Sequence, residues 1–332
     1  MKEKIEKIGR ALNNLSKNRI SCRLCPRSCG VNRATGEKGF CETGDRAIVA
    51  HYGLHFGEEP PISGYYEYRQ ALKSSSPQRG SGTIFFAGCN LKCIFCQNYQ
   101  ISWNRIGEEV SDQELAEMML HLQEKKAINI NLVSPTHVIL PILRALKLAY
   151  QRGLNIPVVY NSNGYELLEA IKNLEGIVDI YLPDFKYFIP EVSFKFSGVT
   201  DYSRVAKEVI REMYFQAEEL KLDEEENALK GLIIRHLVLP GHLEETFKIL
   251  DWISNNLSTN VWLSIMSQYH PCHKAREEIN RELTPEEYQK VLEKLDLLSF
   301  KNVFVQPETF KFEEHLVPDF TQKEPFSWSS SK

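Results

Sequence analysis

From residue 83 onward the chain alternates short β-rich runs with longer amphipathic segments, and this alternation constrains the fold more than any other feature. The apolar runs are TIFFAG (83–88), INLVS (130–134), PVVYN (157–161), VDIYL (178–182), LIIRHLVL (232–239), VWLSIM (261–266) and NVFVQ (302–306). Between them lie segments such as DQELAEMMLHLQEKK and HVILPILRALKLAYQRG, whose apolar residues recur at helical spacing. Ser111 with Glu114 three residues on reads as a capping box, Gly153 as a helix stop, and Thr284-Pro285-Glu286-Glu287 as a helix start. Strand and helix in alternation imply a parallel sheet. Six or seven such units predict an α/β fold, a partial (β/α)6 barrel of the TIM type, with an open doubly wound sheet as the competing arrangement.

The 332 residues carry a formal charge of -4, so the chain lacks the global basic excess that phosphate binding favours, and nucleic acid is not the expected partner. No segment has the apolar core of a signal peptide or the length of a membrane span, which predicts a cytoplasmic protein without membrane attachment. Eight cysteines in a long chain of this kind point to metal or iron-sulfur ligation more than to disulfides. Seven of them fall in two clusters, Cys22, Cys25, Cys29, Cys41 and Cys89, Cys93, Cys96; Cys272 stands apart and reads as a small buried hydrophobe.

Cys89, Cys93 and Cys96 have C-x3-C-x2-C spacing immediately after the first barrel strand, at the face where such barrels keep their chemistry. Three thiolates hold three irons of a cubane cluster and leave the fourth open. A structural zinc site would need a fourth ligand, for which His121 and His137 are the candidates by residue type.

GSGTIFFAGCNLKCIFCQNYQIS resembles the cluster loop of radical S-adenosylmethionine (SAM) enzymes, and more narrowly that of the pyruvate formate-lyase activating enzyme branch, with Phe95 before the last cysteine and Asn98 two residues after it. It is similar in particular to a sub-branch of activating-enzyme-like proteins that also carries an N-terminal C-x2-C-P-R-x-C motif and GEEPPISG. The resemblance implies a 4Fe-4S cluster on the three cysteines, chelation of its open iron by SAM, and reductive cleavage of SAM to a 5'-deoxyadenosyl radical that abstracts a hydrogen atom. It also implies an electron donor such as flavodoxin or ferredoxin, and a glycyl radical enzyme as the protein activated. Modification of a peptide, an RNA or a metabolite is the rival within the same class, and a non-catalytic zinc or iron-sulfur regulatory protein the rival outside it.

The later strand ends supply the remaining SAM contacts in this reading. The second strand ends NLVSPTH, where the family has Gly-Gly-Glu, so Val133, Ser134 and Thr136 would supply backbone carbonyls and hydroxyls in its place, the alternative being a turn with a helix cap. NSNG offers Asn161 and Asn163, DFK offers Asp184 and Lys186, and the fifth strand offers Arg235. A carboxylate and an ammonium two apart in a strand share one face. An arginine inside an apolar strand requires an anionic partner. His236, on the opposite face from Arg235, reads as a packing residue, and His270 as the histidine that helps hold SAM.

CRLCPRSCGVNRATGEKGFC places Cys22, Cys25, Cys29 and Cys41 within 20 residues, a cysteine-rich knuckle suited to zinc or to an auxiliary 4Fe-4S cluster. Arg23, Arg27, Arg33 and Lys38 around it would offset thiolate charge or meet an acidic partner or RNA. The expected organisation is a helix and knuckle over 1–50, a connecting segment over 51–82 with the added stretch YYEYRQALKSSSPQR, the barrel over 83–310 and a tail over 311–332.

Overall fold

The computed structural model describes residues 1–64, 79–305 and 317–326. Most of YYEYRQALKSSSPQR, Gln306 and parts of the tail lie outside the described residues. The expected apolar runs become seven parallel strands: β2 (Ser81–Phe86), β4 (Ile130–Val133), β5 (Val158–Ser162), β6 (Ile180–Pro183), β8 (Ala228–Leu237), β9 (Trp262–Met266) and β10 (Asn302–Val305). They lie side by side in chain order. Strand β1 (Ala47–His55) adds antiparallel to β2, and β3 (Glu108–Val110) antiparallel to β1. The two-residue β7 (Lys221–Leu222) hangs on β8.

Strand alternation sorts the side chains into two faces. Ile84 and Phe86 of β2, Tyr160 of β5 and Ile234 of β8 face outward into one large core with the crossover helices, including Leu115, Met119 and Leu146. The opposite face holds Val159, Ile180, Leu182 and Ile233, packed on Ile62. Among the described residues the crossover helices all cover the outer face, which makes this a partial barrel and not a doubly wound sheet. The expected capping boxes are present. Ser111 Oγ accepts from Glu114 N, and Thr284 Oγ1 from Glu287 N, both at 3.2 Å.

The N-terminal region is built into the barrel. Helix Lys2–Leu15 buries Ile8, Ala11 and Leu15, and Lys4 reaches Asp179 at 2.6 Å. Strand β1 runs across the expected boundary at residue 50, and the short helix Pro60–Ser63 plugs the inner face with the fully buried Ile62, so much of 51–64 is barrel structure and not a linker. Gly, Pro and His in this stretch mask its strand pattern. From the tail, Phe320 and Phe326 cover Phe85 on the inner face, with ring centroids 5.6 and 5.1 Å away.

Candidate active site

Cys89, Cys93 and Cys96 sit on the loop after β2, Cys89 and Cys93 buried and Cys96 half-buried. Each sulfur faces a hydrogen-bond donor. Leu91 N donates to Cys89 Sγ at 3.3 Å and Asn163 Nδ2 to the same sulfur at 3.6 Å; Ser197 Oγ donates to Cys93 Sγ at 3.0 Å, and Ser102 Oγ to Cys96 Sγ at 3.2 Å. Burial raises the Cys89 thiol above its ordinary range and pushes Cys96 up to about 12. Such sulfurs hold a proton at neutral pH unless a metal replaces it, and donors aimed at sulfur suit the thiolate form. The residues present therefore fit an iron-sulfur cluster.

Lys186 is the cation closest in influence to these sulfurs. Burial disfavours its charge, but Asp184 and then Cys93 raise its pKa above the ordinary value. Lys186 Nζ meets Asp184 Oδ2 at 2.6 Å, and Arg235 Nε meets Asp184 Oδ1 at 3.2 Å. Burial alone would raise the Asp184 carboxyl; Lys186 and Arg235 outweigh it and hold the group below its ordinary value. Arg235 also donates to Asn161 Oδ1 at 2.9 Å and to Glu58 Oε2 at 3.0 Å. The structure thus joins Asn161, Asp184, Lys186 and Arg235 in one inward-facing network below the cysteine loop.

The other expected contacts are placed differently. Thr136 turns to the outer face and donates to Glu166 Oε1 at 2.5 Å, because β4 ends at Val133 and Ser134 reverses the chain with φ 59°. Ser134 itself donates its backbone N–H to Asn161 O. Asn163 is committed to the cysteine loop, with Nδ2 on Asn90 Oδ1 at 2.8 Å. Phe95 packs among Tyr187, Phe196 and Tyr269. Asn98 heads the short helix Tyr99–Ser102. His270 faces Glu282 at 3.4 Å. His236 is a packing residue, held by Phe185 O and Thr246 Oγ1. His137 is buried with Nε2 donating to Ala87 O at 2.8 Å, and burial brings its pKa down to about 4.

In the knuckle Cys22, Cys25 and Cys41 are buried and Cys29 is exposed. The geometry places a guanidinium between two of these sulfurs: Arg33, 3% exposed, donates Nε to Cys22 Sγ and Nη2 to Cys41 Sγ, each at 3.1 Å. Among the described residues no group of three or more His, Cys, Asp or Glu side chains is set to hold a single metal ion. Arg27 reaches the other way, donating to the carbonyls of Asn90, Leu91, Ser197 and Gly198. Two of the four basic residues around the knuckle are therefore used inside the fold. Sequence reasoning missed Glu58, Glu59 and Asn131, and gave Arg27 a charge-offsetting role in place of its carbonyl contacts; the quoted GEEPPISG carried the first two, and a polar residue on the inner face of β4 signalled Asn131.

Residues 83–253, just over half of the chain, match the radical SAM superfamily. The chain belongs to that superfamily. It is 37% identical over 292 residues to the protein MJ0674 of Methanocaldococcus jannaschii, covering 84% of this chain and 75% of the relative. A second protein of that organism, MJ0808, is 28% identical over 98 residues, 26% of each chain. Among solved structures, SuiB of Streptococcus suis matches with a TM-score of 0.46 and 12% identity over 67% of this chain, which spans about half (47%) of SuiB. Membership in the superfamily makes this a radical SAM enzyme with a 4Fe-4S cluster and SAM as its cofactors. No helix among the described residues is long and apolar enough to cross a membrane.

Proposed function

We propose that this radical SAM enzyme is of the pyruvate formate-lyase activating enzyme-like kind, and that its reaction is hydrogen abstraction from a glycine of a partner protein. The observation that carries the enzymatic reading is the cysteine loop, in which three sulfurs each face a donor while Lys186, held by Asp184, offers a cation from below. The cluster with SAM, once reduced, supplies a 5'-deoxyadenosyl radical. The chain's own residues would hold Cys89, Cys93 and Cys96 in a dry pocket; Lys186, Asp184, Asn161 and Arg235 would orient the charged groups of SAM. The glycine substrate and an electron donor such as flavodoxin or ferredoxin rest on the likeness of the loop GCNLKCIFC to that branch.

A second metal, zinc or an auxiliary 4Fe-4S cluster on Cys22, Cys25, Cys29 and Cys41, would require Arg33 to leave the two sulfurs it now holds. Iron, sulfide and zinc contents of anaerobic protein, compared with a Cys25→Ala variant, test that site. The enzymatic reading is tested by deuterium transfer into 5'-deoxyadenosine from labelled candidate substrates. Label from a glycine-containing partner supports activation; label from a peptide side chain, an RNA or a metabolite redirects the reading within the class.

A further inference from the structure

The helix Pro190–Ser197 runs into the back of the cluster loop, where Ile94 N donates to Phe196 O at 2.9 Å and Arg27 Nη2 to Ser197 O at 3.1 Å. A serine in the last turn of a helix ordinarily turns its hydroxyl to a nearby backbone carbonyl or out to water. Ser197 is buried, and its hydroxyl donates instead to Cys93 Sγ at 3.0 Å, across 104 residues of sequence. Of the side-chain donors at the three sulfurs it makes the shortest contact. Ser102 reaches Cys96 at 3.2 Å, and Asn163 reaches Cys89 at 3.6 Å while also holding Asn90.

Tyr187 stands behind this serine. Its ring is fully buried among Phe95, Phe196 and Tyr202, and its OH lies 2.8 Å from Ser197 Oγ. A hydroxyl has one proton to give. Because Ser197 gives its proton to the sulfur, the bond with Tyr187 runs from phenol to serine, and the order is Tyr187 O–H to Ser197 O–H to Cys93 Sγ. Donors that point one way polarise each other and strengthen the last bond of the chain. A phenylalanine and an alanine would fill the same space without burying two polar groups, so the hydroxyls are explained by the sulfur on which they end.

Hydrogen bonds to ligand sulfurs help to set the reduction potential of an iron-sulfur cluster. Reduction adds one electron, from an external one-electron donor, to the iron-sulfur core; no bond to the protein breaks and no proton moves. Part of the added negative charge falls on the thiolate sulfurs, where a hydrogen bond then counts for more. Donors at Cys93 therefore favour the reduced cluster. We propose that Tyr187 and Ser197 form a two-hydroxyl relay that raises the reduction potential of the cluster through Cys93, with Ser197 touching the ligand sulfur and Tyr187 positioning Ser197. The inference rests on the radical SAM reading, in which Cys93 ligates the cluster, and it holds whichever substrate the radical attacks.

Anaerobically reconstituted wild type, Tyr187→Phe, Ser197→Ala and the double variant are assayed for iron and sulfide. Each is then titrated with dithionite in the presence of redox mediators and without SAM, and the reduced cluster is followed by EPR. Ser197→Ala is expected to keep its iron while its midpoint falls. The ratio of reduced to oxidised cluster at the wild-type midpoint should drop about tenfold, which is about 59 mV for one electron. Tyr187→Phe should move the midpoint the same way by less, and should add nothing in the Ser197→Ala background, because it acts through that hydroxyl. A merely structural role would change iron content or stability and leave the midpoint where it is. An unmoved or raised midpoint in either iron-loaded single variant, or a Tyr187→Phe shift that persists in full without the serine hydroxyl, would overturn the proposal. Tyr187→Phe keeps the ring and its packing, so it decides the matter if Ser197→Ala loses iron, and loss of iron from both would make the pair structural and overturn the proposal too. A wild type that takes up no iron and sulfide overturns the radical SAM reading, and the relay with it, so the two failures are distinguishable.

Discussion

Arg27 Nε donates to the backbone carbonyl of Asn90 at 2.9 Å, across 63 residues of sequence, and so ties the N-terminal knuckle to the cluster loop. The same guanidinium reaches Leu91 O and Ser197 O, at 3.3 and 3.1 Å. A planar fork can span several carbonyls in this way, and an ammonium cannot. Arg27→Ala is expected to destabilise the protein by about 1–3 kcal/mol, the range for losing hydrogen bonds to a charged group, with Arg27→Lys giving little rescue. Denaturant unfolding measures the first effect, and the width of the reduced cluster's EPR signal measures the loosening of the loop.

Gly88 precedes the first cysteine with φ 85°, and a Cβ there would lie 2.5 Å from Cys41 O. Gly88→Ala is expected to cost about 1–3 kcal/mol as a strained backbone position, and to reduce the iron retained after reconstitution. An iron assay per folded chain checks it.

Arg235 answers Glu58 and Asp184 together. Removing one partner from a buried charge network leaves the others uncompensated, so Arg235→Ala is expected to destabilise by about 3–5 kcal/mol. It should weaken SAM binding as well, read by equilibrium dialysis on the fraction that remains folded.

Glu166 is buried, and burial lifts its pKa from 4.5 to about 7 against the hydroxyls of Thr136, Ser162 and Tyr160. The folded state therefore binds more protons than the unfolded state between these two values. Stability contributed by this group is present below pH 4.5 and falls as pH rises to about 7, by roughly 3 kcal/mol in all. Glu166→Gln should flatten that slope, which urea unfolding at a series of pH values will show.

The barrel was legible in the sequence because most of its parallel strands are largely buried apolar runs, and because two of its helices open on capping boxes. The cysteine loop was legible for a different reason: three thiols at fixed spacing have few structural explanations. Arg235 followed from a charge placed inside an apolar strand, where it needed a partner, whereas Asp184 and Lys186, just past the end of β6, followed from the likeness of DFK to the family's Asp-x-Lys pattern. Strand β1 and the plug were hidden, since AHYGLH and GEEPPISG lack a clean period and read as loop. Thr136, offered with Ser134 at the place of Gly-Gly-Glu, turns to the outer face for a geometric reason. A single left-handed residue, Ser134, sends the chain outward one position earlier than the strand pattern suggests. The contacts of Arg27 join segments far apart in sequence, and nothing local records them.

The most direct test of the whole account is the product of reduction. Anaerobic protein carrying its cluster is reduced with dithionite in the presence of SAM, and 5'-deoxyadenosine is quantified for wild type, Cys93→Ala and Cys25→Ala. The account predicts product from the wild type, none from Cys93→Ala, and from Cys25→Ala a yield per folded chain close to the wild type with reduced stability. A colourless, zinc-loaded wild type without product, or undiminished product from Cys93→Ala, would contradict it.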